Sequence, residues 1–302
     1  MRINSPTFVS VPPDPERRFV SKPQYKALHD TPRTRNAHGF GLVDPEVETA
    51  SAGSAGYYDW RPRQGLRFIM LDTVAEGGSL GGDGNVDDPQ FRWLEDELRA
   101  ATSRDELVVI FSHHAIASLT ASTADEAAQC TGRDDGHGHD EMPGCDLDPR
   151  ASTPIHLGAD LTTLVHRYPH VIAWVAGHSH VNVVEPFRAP DGSSGFWSIR
   201  TASEIDWPQQ NRLLELMDNR DGTLSIFGTI LDHAAPSAAP PSGTAARSLD
   251  TLDLASISRL FANNDTQTGQ PFGEGAPSSR NVELLVTDPR RHPPGERPDR
   301  DD

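Results

Sequence analysis

The chain has 302 residues, with 44 acidic against 27 basic side chains and a formal charge of −17. That balance excludes a cationic face for a nucleic-acid backbone and a polybasic membrane anchor. Hydrophobic residues make up 35%, and glycine and proline contribute 25 each, so much of the chain is expected as loop. No apolar run reaches the length of a membrane span. The opening "MRINSPTFVSVPPDPERRF" lacks an apolar signal region. A cytoplasmic location is therefore expected for the chain as written.

Residues 1–65 read as an extended, loop-rich segment, with one short helix at "SKPQYKALHD". A buried strand follows at 66–74, "LRFIMLDTV", ended by a glycine-rich stretch. Asp88 can cap the next helix with Pro89 in its first position, and Phe91, Leu94 and Leu98 then share one face. A second buried strand is predicted at 105–114 and a helix at 156–169, closed by Pro169. A third buried strand, 170–180, ends in "VAGHSH". Four strands follow in succession, "VNVVEPF", "GFWSIRTAS", "RLLELMDN" and "TLSIFGTILDH", with turns at "APDGSSG" and "NRDG". Residues 234–248 form a low-complexity linker, 249–287 a helix and strand packing on the domain at 66–233, and 288–302 a disordered tail. The order predicts an α/β layer with a second, largely antiparallel sheet.

Two histidine clusters close predicted buried strands, His113 with His114 and His178 with His180. Strand ends in α/β layers are where side chains converge on ligands. In an extended segment His178 and His180 point to the same side. Together with an imidazole from a neighbouring strand they can bind zinc, iron or manganese. A second G-H-x-H, at Gly136-His137-Gly138-His139, follows no apolar strand and serves as a control. Cys130 and Cys145 flank that same polar loop. A disulfide between them is the first reading, and it implies an oxidising compartment.

"VVIFSHHA" followed by "VIAWVAGHSH" resembles the two C-terminal metal motifs of the calcineurin-like metallophosphoesterases. "FIMLDTV", then a helix ending in "WLEDEL", is similar to the family's order, and "GFWSIRTASEIDWPQQNRLLEL" resembles an often exported bacterial branch. The resemblance spans roughly residues 16–287. It implies a four-layer α/β/β/α sandwich, here incomplete, and phosphoester hydrolysis by a metal-activated water. By position, His113 and His178 match ligands of the second metal and His180 a ligand of the first. His114 matches no ligand and is expected to line the site or contact phosphate. Glu204 or Asp206 are candidates to approach the site as hydrogen-bond acceptors for its imidazoles.

The family's earlier motifs, D-x-H, G-D-x-x-D and G-N-H-[DE], have no match in proper context. Asp135-Gly136-His137 and Gly82-Asp83 are decoys, and "DPERRFVSKPQY" resembles a segment downstream of the third motif. The expectation is a C-terminal part carrying half of a dinuclear site, weak or inactive alone, from a parent that was exported. Three neutral imidazoles suit one divalent cation, with manganese, iron, zinc and calcium not distinguished. The implied partners are a phosphorylated small molecule or other phosphoester and a separately encoded N-terminal half. Two other readings stand beside this one: a non-catalytic metal- or partner-binding remnant, and a mononuclear zinc hydrolase using His113, His178 and His180.

Overall fold

The computed structural model describes residues 22–29, 39–74, 84–122, 153–192, 194–239, 248–264 and 273–290. The cysteine loop with its proposed disulfide, both decoy motifs, most of the linker and most of the tail lie outside the described residues.

In chain order the elements are α1 (Lys22–His29), α2 (Pro45–Ala50), β1 (Tyr58–Arg63), β2 (Leu66–Met70), α3 (Asp88–Ser103) and β3 (Leu107–Phe111). Then come α4 (Gly158–His166), β4 (Val171–Ala176), β5 (Val183–Arg188), β6 (Gly195–Arg200), β7 (Gln210–Asp218), β8 (Thr223–Asp232), α5 (Thr251–Asn264) and β9 (Val282–Thr287). A six-stranded sheet runs β1-β2-β3-β4-β6-β5, and a three-stranded sheet runs β7-β8-β9. β4 pairs parallel with β6, β5 antiparallel with β6, and the smaller sheet is antiparallel throughout. The α/β class with a mixed sheet and a second antiparallel sheet is as the sequence predicts. No helix among the described residues is long and apolar enough to cross a membrane.

The chain divides into two compact units, Met1–Trp60 with Ile69–Glu95 and Phe111–Thr162, and Arg61–Phe68 with Asp96–Ile110 and Thr163–Asp302. In the first, Val43, Ala55 and Tyr57 form a small core with Val47, Tyr58 and Trp93 packed against it. Asp44 caps α2, its Oδ1 accepting from Glu46 N–H at 2.7 Å, and Pro45 opens the helix. Lys26 is buried and donates to the Ala55 carbonyl at 2.7 Å, while Lys22 pairs with Asp72 at 3.0 Å. Ordered helix and strand thus occupy part of the segment expected as extended loop. Burial, then the charges of Asp87 and Asp72, push the Tyr57 hydroxyl well up, against a smaller opposing pull from Lys22.

The start of α3 differs by one residue from the expected cap. Asp87, not Asp88, accepts the Gln90 N–H at 2.9 Å. Asp88 instead meets His156 Nε2 at 3.0 Å and Arg92 at 2.8 Å, and the His156 ring stacks on Phe91 with centroids 3.7 Å apart. The carboxylate adjacent to Pro89 is drawn to a tertiary partner that local capping rules do not register.

In the second unit the central strands bury long apolar side chains, and Ile172, Trp174 and Ile199 are fully inaccessible. β7 alternates half-buried and exposed residues along its length, as one side of an antiparallel sheet requires. Arg67 is fully buried on β2; its guanidinium meets Glu106 at 2.6 Å and also pairs with Glu97. Asn182, also fully buried, accepts from Ala202 N–H at 3.0 Å and donates to Gln210 Oε1 at 3.1 Å, joining the strand that opens at Val183 to the start of β7.

Candidate metal centre

The chain bends directly after β3, at Ser112-His113-His114. Ser112 Oγ donates to the His114 carbonyl at 2.5 Å, and the two imidazoles stand perpendicular with centroids 4.8 Å apart. His113 is exposed and His114 buried. The His114 ring is set by Thr73: its Nδ1 lies 2.9 Å from Thr73 Oγ1, which also accepts the His114 backbone N–H at 3.3 Å. Such a partner on one ring nitrogen orients the other, which is how proteins commonly present a histidine to a cation.

The ring also needs room. A Cβ on Gly84 would fall 2.6 Å from His114 Cγ and Nδ1 and 2.7 Å from the Thr73 carbonyl oxygen. Glycine at 84 is therefore a packing requirement of His114. Thr73 and Gly84 both escape sequence reading. The only signal available was the placement of a glycine-rich stretch just after a strand, which reads equally well as a turn.

β4 ends at Ala176, and the chain turns at once: Ser179 N–H bonds the Gly177 carbonyl at 2.7 Å. His178 and His180 have φ of 62° and 54°. The expected extended geometry, with both rings on one side by alternation, is not what forms. Two non-glycine residues sit in the left-handed region, where each costs about 1–2 kcal/mol. Strain of that kind clusters where surrounding structure holds a side chain for a purpose.

The His180 Nδ1 pairs with the Asp206 carboxylate. Asp206 lies on a tight turn: Ser203 Oγ accepts from Ile205 N–H at 3.0 Å and Asp206 N–H at 3.1 Å, and Gln209 N–H donates to the Asp206 carbonyl at 2.7 Å. Glu204 is exposed and lines a separate cavity of about 450 Å³ with Gln209, Asn211, Leu231, Asp232 and His233.

Of the histidines singled out by sequence, His113 and His114 stand side by side in the first unit, and His178 and His180 follow β4 in the second, His180 beside Asp206. Neutral imidazole nitrogens suit zinc, iron and similar borderline cations better than calcium or magnesium.

No protein-family model matches the chain. No curated protein matches it. Among solved structures it is similar to a dimetal phosphatase from Danio rerio, with 14% identity and a TM-score of 0.37 over 62% of this chain and 63% of that one. The chain thus spans less than two thirds of that neighbour's length, and a superposition at this level bears no weight on the site.

Proposed function

We propose that the chain is a divalent-metal-binding protein of metallophosphoesterase type, acting on phosphoesters. The observation that carries the proposal is the His113–His114 pair directly after buried strand β3, with the His114 ring oriented by Thr73. The motif resemblance supplies the reaction class, and the region at 66–233 is proposed as its domain.

His113 and His114 would help hold the cation, which would supply Lewis acidity toward a phosphoryl oxygen and an acidified bound water. Thr73 holds the His114 ring from behind. Neutral imidazole ligands keep more positive charge on a cation than carboxylate ligands do, and so favour an anionic phosphoester. A mononuclear zinc hydrolase is the second reading.

The test is direct. Metal-stripped protein titrated with zinc or manganese should bind a divalent cation, and His178→Ala should lose that binding. Hydrolysis of an aryl phosphate that disappears in His178→Ala supports the enzyme. Stoichiometric binding with no turnover supports the non-catalytic remnant. Failure to bind either cation overturns the proposal.

A further inference from the structure

We infer that the cavity between the β5–β6 hairpin and β9 binds a small planar aromatic anion, of the aryl carboxylate class. All of its walls belong to the second unit. It holds about 310 Å³, the small end of ligand cavities, with room for one or two rings. It lies at the opposite end of β4 from His178: Pro169, which lines it, precedes Val171, whereas His178 follows Ala176. Six strand residues at about 3.3 Å each put roughly 20 Å between the two. The inference therefore does not depend on the metal-binding reading.

The register of the hairpin makes the hole. Pro186 stands opposite Trp197, Phe187 opposite Phe196, and Arg188 opposite Gly195. Residues two apart share a face, so Trp197, Pro186, Gly195 and Arg188 lie on one side. Phe187 and Phe196 stack on the other, with centroids 5.2 Å apart. Gly195 has no side chain to fill the space beside Trp197, and a Cβ there would fall 2.8 Å from the Phe187 carbonyl oxygen. β9 supplies a further wall through Leu285 and Thr287. The Trp197 indole is fixed, since its Nε1–H donates to the Leu285 carbonyl at 3.0 Å. Its ring face is left for stacking.

Arg188 sets the charge of the ligand. It is exposed, it lines the cavity, and its guanidinium has no hydrogen-bond or ion-pair partner among the described residues. Glu185 on the same strand holds Arg200 at 3.0 Å, and Asp288, just past β9, holds Arg290 at 2.6 Å. In a chain of net charge −17, an unanswered cation beside an aromatic wall selects for an anion. The guanidinium is a planar fork that matches a carboxylate through two parallel hydrogen bonds. A flat ring against Trp197 with its carboxylate on Arg188 uses both features. An aliphatic anion would leave the indole unused, and a neutral aromatic would leave the guanidinium unused.

The experiment titrates the full chain with naphthoate by calorimetry, with naphthamide as the uncharged probe and cyclohexanecarboxylate as the non-aromatic one. Wild type should bind naphthoate about tenfold more tightly than either. Arg188→Gln should weaken naphthoate about tenfold, the loss of a charge-assisted contact, and leave naphthamide as it was. Trp197→Leu should weaken both aromatic probes, and Trp197→Phe, which keeps a ring face, should restore part of the loss. Arg63→Gln, at an exposed arginine outside the cavity, should bind as wild type does. An unchanged thermal midpoint in Arg188→Gln separates lost recognition from lost folding. Wild type that binds no naphthoate at millimolar concentration overturns the inference. So does naphthoate affinity that survives Arg188→Gln, or equal affinity for cyclohexanecarboxylate. Zinc titration of the same samples reads the metal site separately: naphthoate binding without zinc binding removes the metal reading and leaves this inference standing.

Discussion

Replacing Gly84 by alanine inserts one methyl group where the structure has no space for it. The new carbon would lie 2.6 Å from two atoms of the His114 ring and 2.7 Å from the Thr73 carbonyl oxygen. Comfortable carbon contacts are about 3.5–4.0 Å. The backbone cannot retreat, because Gly84 bridges Val74 on one side and Leu119 on the other, and its carbonyl accepts the Ala121 N–H at 3.0 Å. The Thr73 carbonyl is equally committed, accepting Asn85 N–H at 3.2 Å. The His114 ring must move, and it can do so only by leaving Thr73. Overpacking typically costs about 1–3 kcal/mol, and a lost hydrogen bond about 1 kcal/mol more. The expected loss is about 2–4 kcal/mol, a large share of the ~5–15 kcal/mol that a folded domain commands. Urea unfolding should show a lower midpoint at unchanged slope, and zinc titration should show weaker binding. Gly65→Ala is the control. Gly65 has φ +77° and nothing within 4 Å, so that change costs about 1–2 kcal/mol of backbone strain and leaves zinc affinity alone. A Gly84→Ala protein with wild-type midpoint and wild-type affinity would refute the reasoning.

Arg67→Met should destabilise by about 3–5 kcal/mol, because it removes the buried counter-charge of Glu97 and Glu106, leaving Glu106 with Arg61 at 3.4 Å; adding Glu97→Gln and Glu106→Gln should recover part of the loss in denaturant titration. Trp174→Ala, at a fully inaccessible site, should cost about 3–5 kcal/mol by the same measurement. Acid titration should expose the Asp232–Arg259 pair. Burial pushes the Asp232 carboxyl up, but hydrogen bonds from Arg259 and Gln210, with the Arg259 charge, outweigh it and hold the group below its ordinary range. A depressed carboxyl adds stability that is complete above its unfolded value and fades as pH falls through the folded one. Arg259→Ala should therefore lower stability most near neutral pH and least in acid, flattening the acid limb of the stability curve; an unaltered acid limb would contradict this.

Much of the fold is legible in the chain because its signals are local. Runs such as "LVVI" and "VIAWVA" between polar stretches are short and rich in β-branched residues, which favours strands buried on both sides, and Leu94 with Leu98 spaces one face of a helix. Period and flanking turns depend on neighbours a few residues away, so no tertiary information is needed. The same locality explains why the histidine clusters stand out: each follows a strand directly. It also explains the misreading of 178–180, since alternation assumes the strand continues, whereas the chain turns after Ala176.

What tertiary structure decided is which side chains meet. Thr73 and His114 are 41 residues apart, and Arg67 and Glu106 are 39 apart. Neither pair has any pattern in the sequence, because a hydrogen bond between distant residues leaves no periodicity behind. The sequence offered both Glu204 and Asp206 as acceptors; the hydrogen-bonded turn around Ser203 turned one toward His180 and the other toward solvent. Composition and spacing set the elements and placed imidazoles at their ends. The closing of turns against buried neighbours, which is a property of the packed chain, chose the partners of each ring.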